Sequence, residues 1–408
     1  MSGALPSAAF GSATAPDALA AVEALRAIAS AHAAESERLR TLAPPVVAAL
    51  RASGLLGFST AEALGGGGAS PRAQFEVVEA MARVDTATGW SLMISSMLSA
   101  CAGAYLSEEG VREVFADGVP ICAGLLMPSG VLRAAPGGFR VHGRWAFGSG
   151  IRHAEWIVTS ALVQSTDAPS ASAATPAGPP AMRTIVVPVR EAVIEDTWHA
   201  AGLRGSGSEH YRLEDVFVPH ARAFPFPSAP ALRGGAAFDL PIIALLCPVH
   251  AGFALGAARA ALDALAALAP SRLKAWPGIA LGAHAGFHID LGRADAKLRA
   301  ARALALEACT TLEQRVGEGR SLSQDDWRIA RLSVTHATEI AAEVATFAFR
   351  SGGASALYDS SPLQRLFRDV QAAAQHIAAT DDAYEFAGRL LLGIAAPHPL
   401  MAARPARS

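Results

Sequence analysis

The sequence predicts a mainly α protein with a central β domain, and three observations carry that prediction. Both flanks of the chain repeat apolar residues at helical spacing, rich in Ala, Leu, Glu and Arg. Between them, from about 119 to 218, short β-rich runs are separated by Gly and Pro. The chain has 408 residues, 51% of them hydrophobic and only 17% charged, enough for a large core shared among two or three packed subdomains. The expected organisation is a flexible leader (1–16), an N-terminal helical domain (17–118), a middle β domain (119–220), a linker (221–238) and a C-terminal helical bundle (239–408).

The elements follow in order. Ala18 to Arg40 reads as a helix, and Pro44 and Pro45 open a second one that stops at Gly54. PRAQFEVVEAMARV sets Phe75, Val78 and Met81 at helical spacing. Trp90 to Tyr105 is apolar almost all round, so it predicts a buried helix. Ser107, followed by Glu108 and Glu109, has the chemistry of an N-cap with first-turn acids. The strand candidates are ICAGLLM, VLRAA, FRVHGRWAF, EWIVTSALV, MRTIVVPV and YRLEDVFVP, with a hairpin turn at APGGF. The segment 164–181 has almost nothing able to pack and reads as a mobile excursion between two strands. Long helices are expected over 252–269, 280–317, 323–350 and 362–390.

Composition narrows the function classes. A formal net charge of −2, with basic residues scattered, argues against a nucleic-acid or anionic-membrane surface. The first residues lack a charged segment followed by an apolar run, so no signal peptide is expected, and no membrane span. Cys101, Cys122, Cys247 and Cys309 are far apart, which suits a reduced, cytoplasmic setting. The glycines at 65–68 and 202–208 do not sit between a strand and a helix as a dinucleotide fingerprint requires. Ser149 lacks the GxSxG elbow of a hydrolase. His284 and His288 share a helix face, but Ala285 stands where a zincin needs Glu, so no metal is expected.

The three-part layout resembles the acyl-CoA dehydrogenase fold: N-terminal helical domain, middle β-barrel or sandwich, C-terminal four-helix bundle. ALGGGGASPRAQFEVVEAMARVDTATGW, DTWHAAGLRGSGSEHYRLEDVFVP and SGGASALYDSSPLQRLFRDVQAAAQH carry the resemblance, in the right order along the chain. Two departures then matter. The stretch Arg368 to Ile377 holds no carboxylate after Asp369, where the dehydrogenases carry the base that removes an α-proton, and the Arg-x-Phe-Gly motif of the flavin adenine side is not visible near Arg272. Without a base a weakly acidic α-proton stays in place.

With GGFRVHGRWAFGSGIRHAEW and His376, the chain more closely resembles the flavin-dependent monooxygenases of this fold, the group D two-component hydroxylases. That resemblance implies reduced FMN or FAD delivered by a separate NAD(P)H-dependent reductase, O2 as co-substrate, a flavin C4a-hydroperoxide, a small-molecule substrate and a homotetramer. It implies Ser149 near flavin N5 and His376 near C4a as catalytic residues. Met127, Phe147, Ser149, Trp198, Ser206, Ser208 and Arg272 are the expected cofactor-binding residues, and Phe147 and Trp198 would keep water out. Trp90, Ser95, Ser96 and Met97 are the expected substrate-pocket wall. Some phenol hydroxylases of the group carry a histidine on the helix after Gly-Trp; GWSLMISSMLSACAGAYL has none, so the expected substrate shifts towards a heteroaromatic, a thioether or an amine-bearing metabolite. His153 and Trp156 read as supports, Trp145 as core, and Arg368 with Asp369 as a structural ion pair. Two other functions compete: an acyl-CoA or carrier-linked dehydrogenase or oxidase with FAD, and a catalytically inactive scaffold.

Overall fold

The computed structural model describes residues 15–164, 181–226, 230–234, 236–273 and 278–394. The expected leader, up to residue 14, and the expected excursion over 165–180 lie outside the described residues. Five helices come first: α1 (Ala15–Leu39), α2 (Pro44–Ser53), α3 (Pro71–Val84), α4 (Thr86–Tyr105) and α5 (Glu108–Val114). Their ends follow the sequence signals. Gly54 closes α2 with φ 73°, a left-handed conformation that glycine adopts without Cβ strain. Asp85 caps α4 by accepting from the Thr88 N–H at 2.8 Å, and Ser107 caps α5 through the Gly110 N–H at 3.2 Å.

The middle of the chain forms one eight-stranded sheet from β1 (Cys122–Ala123), β2 (Gly130–Ala135), β3 (Gly138–Gly148), β4 (Trp156–Val163), β5 (Met182–Pro188), β6 (Val193–Glu195), β7 (Glu209–Pro219) and β8 (Ala223–Pro225). The order is β6-β7-β3-β2-β4-β5-β8, with β1 beside β4. Ala135 pairs with Gly138, so APGGF turns the chain through Pro136 and Gly137, the latter at φ 78°. The long β3–β7 ladder slips between Val141 and Gly143 and again between Trp145 and Gly148. The second irregularity matters: Phe147 sits there at φ 59°, which turns its ring outward while the chain swings inward to Ser149. Behind it Trp145 is buried, stacked on Tyr211 at 5.6 Å, in a core of Leu132, Ile157, Val187 and Leu213.

The chain then returns to helices: α6 (Ile242–Leu268), α7 (Ala285–Gly317), α8 (Gln324–Gly352), α9 (Pro362–Ala373) and α10 (Asp382–Leu391). They share the main core with α3 and α4, through residues such as Phe75, Met93, Phe253, Leu265 and Trp327. A mainly α fold around a central sheet is therefore what the chain adopts. Two helices differ from expectation. α6 begins at Ile242, before Pro248, because its buried residues lie all round it. Their burial, about 1.5–3 kcal/mol for each large side chain, outweighs the roughly 3 kcal/mol cost of an interior proline. This helix is also long and apolar enough to cross a membrane, and most of it is buried inside the bundle. The expected single helix over 362–390 breaks after Ala373. The buried guanidinium of Arg331 on α8 takes the carboxylate of Asp382 at 2.8 Å and reaches the Ala378 carbonyl at 3.5 Å, which draws the chain into a turn.

Candidate functional site

The turn that ends β3 is held from below by the loop before β7. Ser149 Oγ lies 2.7 Å from Ser208 Oγ, and Ser208 Oγ lies 2.7 Å from Ser206 Oγ. Ser206 donates to the Leu203 carbonyl at 2.7 Å, and the Gly150 N–H donates to the Ser206 carbonyl at 2.8 Å. Proton counting fixes the direction. Each hydroxyl has one proton, and that of Ser206 goes to Leu203. Ser208 must then donate to Ser206, and Ser149 to Ser208. Ser149 also accepts from Trp90 Nε1 at 3.0 Å, which leaves its second lone pair free. The chain Trp90, Ser149, Ser208, Ser206, Leu203 thus runs one way, and all three serines are buried.

Leu203 is itself anchored. It adopts φ 51°, and its N–H donates to Asp369 Oδ1 at 2.6 Å. Asp369, on α9, also accepts from the Thr86 hydroxyl at the start of α4. Gly202 permits this approach: a Cβ there would lie 1.9 Å from the Arg368 carbonyl oxygen. Burial pushes the Asp369 carboxyl up to about 6, against the lowering hydrogen bonds of Thr86 and Leu203. Asp369 therefore does not form the ion pair with Arg368 that the sequence predicts. Neighbouring helical residues point about 100° apart, and Arg368 turns to Glu37 and the Ala201 carbonyl.

Glu209, at the first residue of β7, holds the neighbouring loop. Its buried carboxylate accepts from the Thr197 and Trp198 N–H groups, both at 2.7 Å, and from Arg152 Nη2 at 2.7 Å. Burial alone would raise its pKa, but Arg152 and the two backbone donors outweigh it and keep the group below the usual carboxylate range. Trp198 Nε1 donates to the Leu203 carbonyl at 2.9 Å, and its ring meets the edge of Phe147 at 6.3 Å. Phe147 is 56% exposed, and Met127, in the loop after β1, 52%. Arg204, in the same turn as Ser206, has an Nε with no partner among the described residues.

On the helical side Trp90 is the hub. Its ring meets Phe253 at 5.0 Å, His376 at 5.7 Å and His250 at 5.8 Å, all edge to face. The two imidazoles face each other at 4.7 Å with a 37° tilt. His376 is not on a helix but in the turn between α9 and α10, where its Nδ1 accepts from the Ala378 N–H at 3.2 Å. Burial pulls the His376 pKa down to about 4 and that of His250 well below its ordinary value, so both rings are neutral near pH 7.

The structure thus joins Ser149, Ser206, Ser208, Trp198, Phe147, Trp90 and His376 in one neighbourhood. Ser95 and Ser96 are buried on α4, but Ser95 Oγ accepts from the Cys122 N–H at 3.2 Å and Ser96 Oγ points to the Met93 carbonyl at 3.4 Å; Met97 packs against the main core. Arg272 stands elsewhere, its Nε donating to the Gly352 carbonyl at 2.8 Å. His153 is a buried support behind the turn, with Nδ1 3.4 Å from Thr41 Oγ1, and Trp156 lies under the Arg222 guanidinium at 5.7 Å. His288 contacts the Gly282 carbonyl at 2.7 Å, and no three metal-ligating side chains gather among the described residues. Sequence reasoning missed His250, Asp369 and Glu209 as parts of the site. The available signal for His250 was a lone ionisable residue in the apolar run ALLCPVHAGFALG.

Comparison with known proteins agrees with this architecture. Residues 17–115 match the acyl-CoA dehydrogenase N-terminal domain, and residues 248–381 match the C-terminal domain of the same family. The chain is 31% identical to an indole-3-acetate monooxygenase of Pseudomonas putida, over 89% of this chain and 90% of that one. It is 30% identical, with the same coverages, to the oxygenase component of an FADH2-dependent resorcinol hydroxylase of a Rhizobium strain. Among solved structures, XiaF from a Streptomyces species, in complex with FADH2 and glycerol, superposes with a TM-score of 0.84 at 26% identity, covering 94% of this chain and 97% of that one. The chain belongs to the acyl-CoA dehydrogenase fold family, and within it to the two-component flavin-dependent monooxygenases.

Proposed function

We propose that the protein is the oxygenase of a two-component system. It takes reduced flavin from a separate NAD(P)H-dependent reductase and uses O2 to oxygenate a small aromatic, heteroaromatic or heteroatom-bearing substrate at the Ser149–Trp90–His376 site. The observation that carries the reading is the 3.0 Å bond from Trp90 Nε1 to Ser149 Oγ, which ties the serine turn of the sheet to the imidazoles of the helical bundle.

The residues present suit a reduced flavin. Bound there, the flavin would supply the two electrons that activate O2. Ser149 gives its proton to Ser208 and one lone pair to Trp90, so its other lone pair would accept a hydrogen bond from the N–H of reduced N5 and help to keep that proton on the flavin. Its own proton is committed to Ser208, so Ser149 does not compete as a donor. Phe147 and Trp198 would offer apolar cover that excludes water. His376, neutral near pH 7 with Nδ1 accepting, carries its proton on Nε2 and donates towards the substrate side.

The dehydrogenase alternative lacks a base. The only carboxylate on this stretch of α9, Asp369, is buried against Thr86 and Leu203. The flavin is reduced FMN or FAD: the missing adenine-side motif leans towards FMN, whereas the hydroxylase and XiaF named above carry FADH2 in their descriptions, and we expect a cytoplasmic homotetramer. The test is to bind chemically reduced FMN or FAD anaerobically and mix with oxygenated buffer in a stopped flow. Delayed, multiphasic return of the oxidised flavin band supports the proposal. Absence of reduced-flavin binding, or tightly held FAD bleached by an acyl-CoA, overturns it.

A further inference from the structure

The serine chain under Ser149 ends on one peptide carbonyl, that of Leu203, which accepts from Ser206 Oγ at 2.7 Å and from Trp198 Nε1 at 2.9 Å. Leu203 holds φ 51°, a left-handed conformation that is strained for a residue with a Cβ, so its place depends on what grips it. The grip on its N–H is Asp369 Oδ1 at 2.6 Å, while Asp369 Oδ2 accepts from the Thr86 hydroxyl. Both oxygens are therefore used as acceptors, which suits an ionised carboxylate, and bonds to an ionised acceptor are about twice as strong as neutral ones. A protonated carboxyl cannot aim its O–H at the Leu203 N–H. The proton must sit on Oδ2, against Thr86, and Oδ1 is left as a neutral, weaker acceptor.

We propose that Asp369 is a remote positioning residue for Ser149: its negative charge holds Leu203, and through Ser206 and Ser208 the serine, in place for flavin N5, and its protonation releases that hold. The proposal rests on the function given above and adds a control that acts from outside the flavin site. Protons have a route to this carboxyl from the far side. A cleft of about 480 Å3 between α1, α3, α6 and α9, lined by Arg26, Arg83, Asp263 and Arg365, has Asp85 and Thr86 in its wall. Among the charged groups around Asp369, Asp85 on α4 raises its pKa and Arg365, one turn back on α9, lowers it. Glu37 on α1 is engaged by Arg368 and Asp263 on α6 by Arg83 at 2.7 Å, and α8 meets α9 through the neutral pair Gln371 and Thr346. Burial opposes the charge and pushes the carboxyl up to about 6, whereas the two hydrogen bonds favour the charge, and only the bonds act on Leu203. His376 titrates at about 4, His250 well below its ordinary value, and Glu209 below the usual carboxylate range. Of these four groups, Asp369 is the one that changes charge between pH 5 and pH 7.

The first measurement needs no flavin. Trp90 and Trp198 donate to Ser149 Oγ and to the Leu203 carbonyl, so their indoles report on both ends of the chain. Fluorine NMR of the full-length protein carrying 5-fluorotryptophan, with each signal assigned from its Phe variant, is followed as pH changes. Both signals are expected to move in one step near pH 6. Asp369→Asn imitates the neutral acid and should hold the low-pH position throughout. Arg365→Gln removes a lowering charge and moves the step up in pH; Asp85→Asn, whose amide oxygen still caps α4, removes a raising one and moves it down. The second measurement mixes protein holding reduced flavin, without substrate, with oxygenated buffer. Wild type should release H2O2 about three- to tenfold faster below the step than above it, the effect of a charge-assisted bond becoming a neutral one. Asp369→Asn should release it fast at every pH. A wild type without a step near pH 6, or the same step in Asp369→Asn, overturns the proposal. So does an H2O2 rate that ignores the step, since Ser149 is then not held for N5. Should Asp369→Asn fail to fold, the opposite shifts in Arg365→Gln and Asp85→Asn decide, and an unmoved step overturns the assignment. If wild type holds no reduced flavin, the oxygenase reading falls, and the tryptophan step still judges whether Asp369 holds the chain.

Discussion

Ser149→Ala and Trp90→Phe, alone and together, test whether the bond between sheet and bundle exists and what it is worth. Ser149→Ala removes one oxygen and leaves almost no cavity, so its cost comes from hydrogen bonds. Ser208 keeps Ser206 as a partner, but the buried Trp90 Nε1–H is orphaned, which costs about 1–3 kcal/mol. Trp90→Phe leaves Ser149 bonded to Ser208 and costs about 1 kcal/mol for the bond, plus roughly 1–3 kcal/mol for the smaller ring among Phe253, His250 and His376. In the double variant there is no orphaned donor, so its cost should fall short of the sum of the two single costs by about 1–2 kcal/mol. Urea unfolding of the four proteins, followed by circular dichroism, reads that coupling. Additivity within about 0.5 kcal/mol would refute the bond. The functional readout is separate. With reduced flavin bound and no substrate, Ser149→Ala should release H2O2 faster than wild type while still binding flavin. An unchanged rate would assign Ser149 to the turn alone and remove its role at N5.

Two further predictions concern the cover and the anchor of the site. Phe147→Ala should cost only about 1–2 kcal/mol of stability, because the half-exposed ring loses its edge contacts with Trp198 and His210 while the Cβ and its strain at φ 59° remain, and it should weaken reduced-flavin binding in an anaerobic titration; equal affinity would show that the ring does not cover the cofactor. For Asp369 the sign follows from its folded pKa of about 6, raised from 3.8 by burial: the native state binds that proton more tightly, so its stabilising contribution is full below about pH 4 and is lost as pH rises to about 6. Asp369→Asn imitates the protonated acid, so wild type should lose roughly 3 kcal/mol relative to the variant between pH 4 and pH 7, measured as a change in the difference of urea unfolding free energies. A difference that does not move with pH would mean that the carboxyl is not desolvated.

How much of this was legible in the sequence depends on the distance over which each feature is decided. The helix caps at Gly54 and Ser107, the hairpin at Pro136-Gly137 and the change of period that defines the sheet are decided within four or five residues, and each reads directly. Ser149 was visible for the same reason: a hydroxyl between two glycines at a strand end has little packing use. The partners that give Ser149 its chemistry were not visible, because Trp90 and Ser208 are each 59 residues away in opposite directions. Asp369 shows the limit most sharply. Read beside Arg368 it looked like half of an ion pair, yet its hydrogen-bond partner Thr86 is 283 residues away and Leu203 is 166 away. A helix periodicity also says which face is buried but not what a buried polar side chain meets there. His250 therefore vanished into an apolar run. The break after Ala373 belongs to the same class, since nothing local in AAAQHIAAT forbids a helix and the cause is Arg331 on another element. The consequence is physical: this break takes His376 off the helix and brings it against His250 and Trp90. The long-range contacts that sequence could not supply are thus the ones that assemble the titratable half of the site.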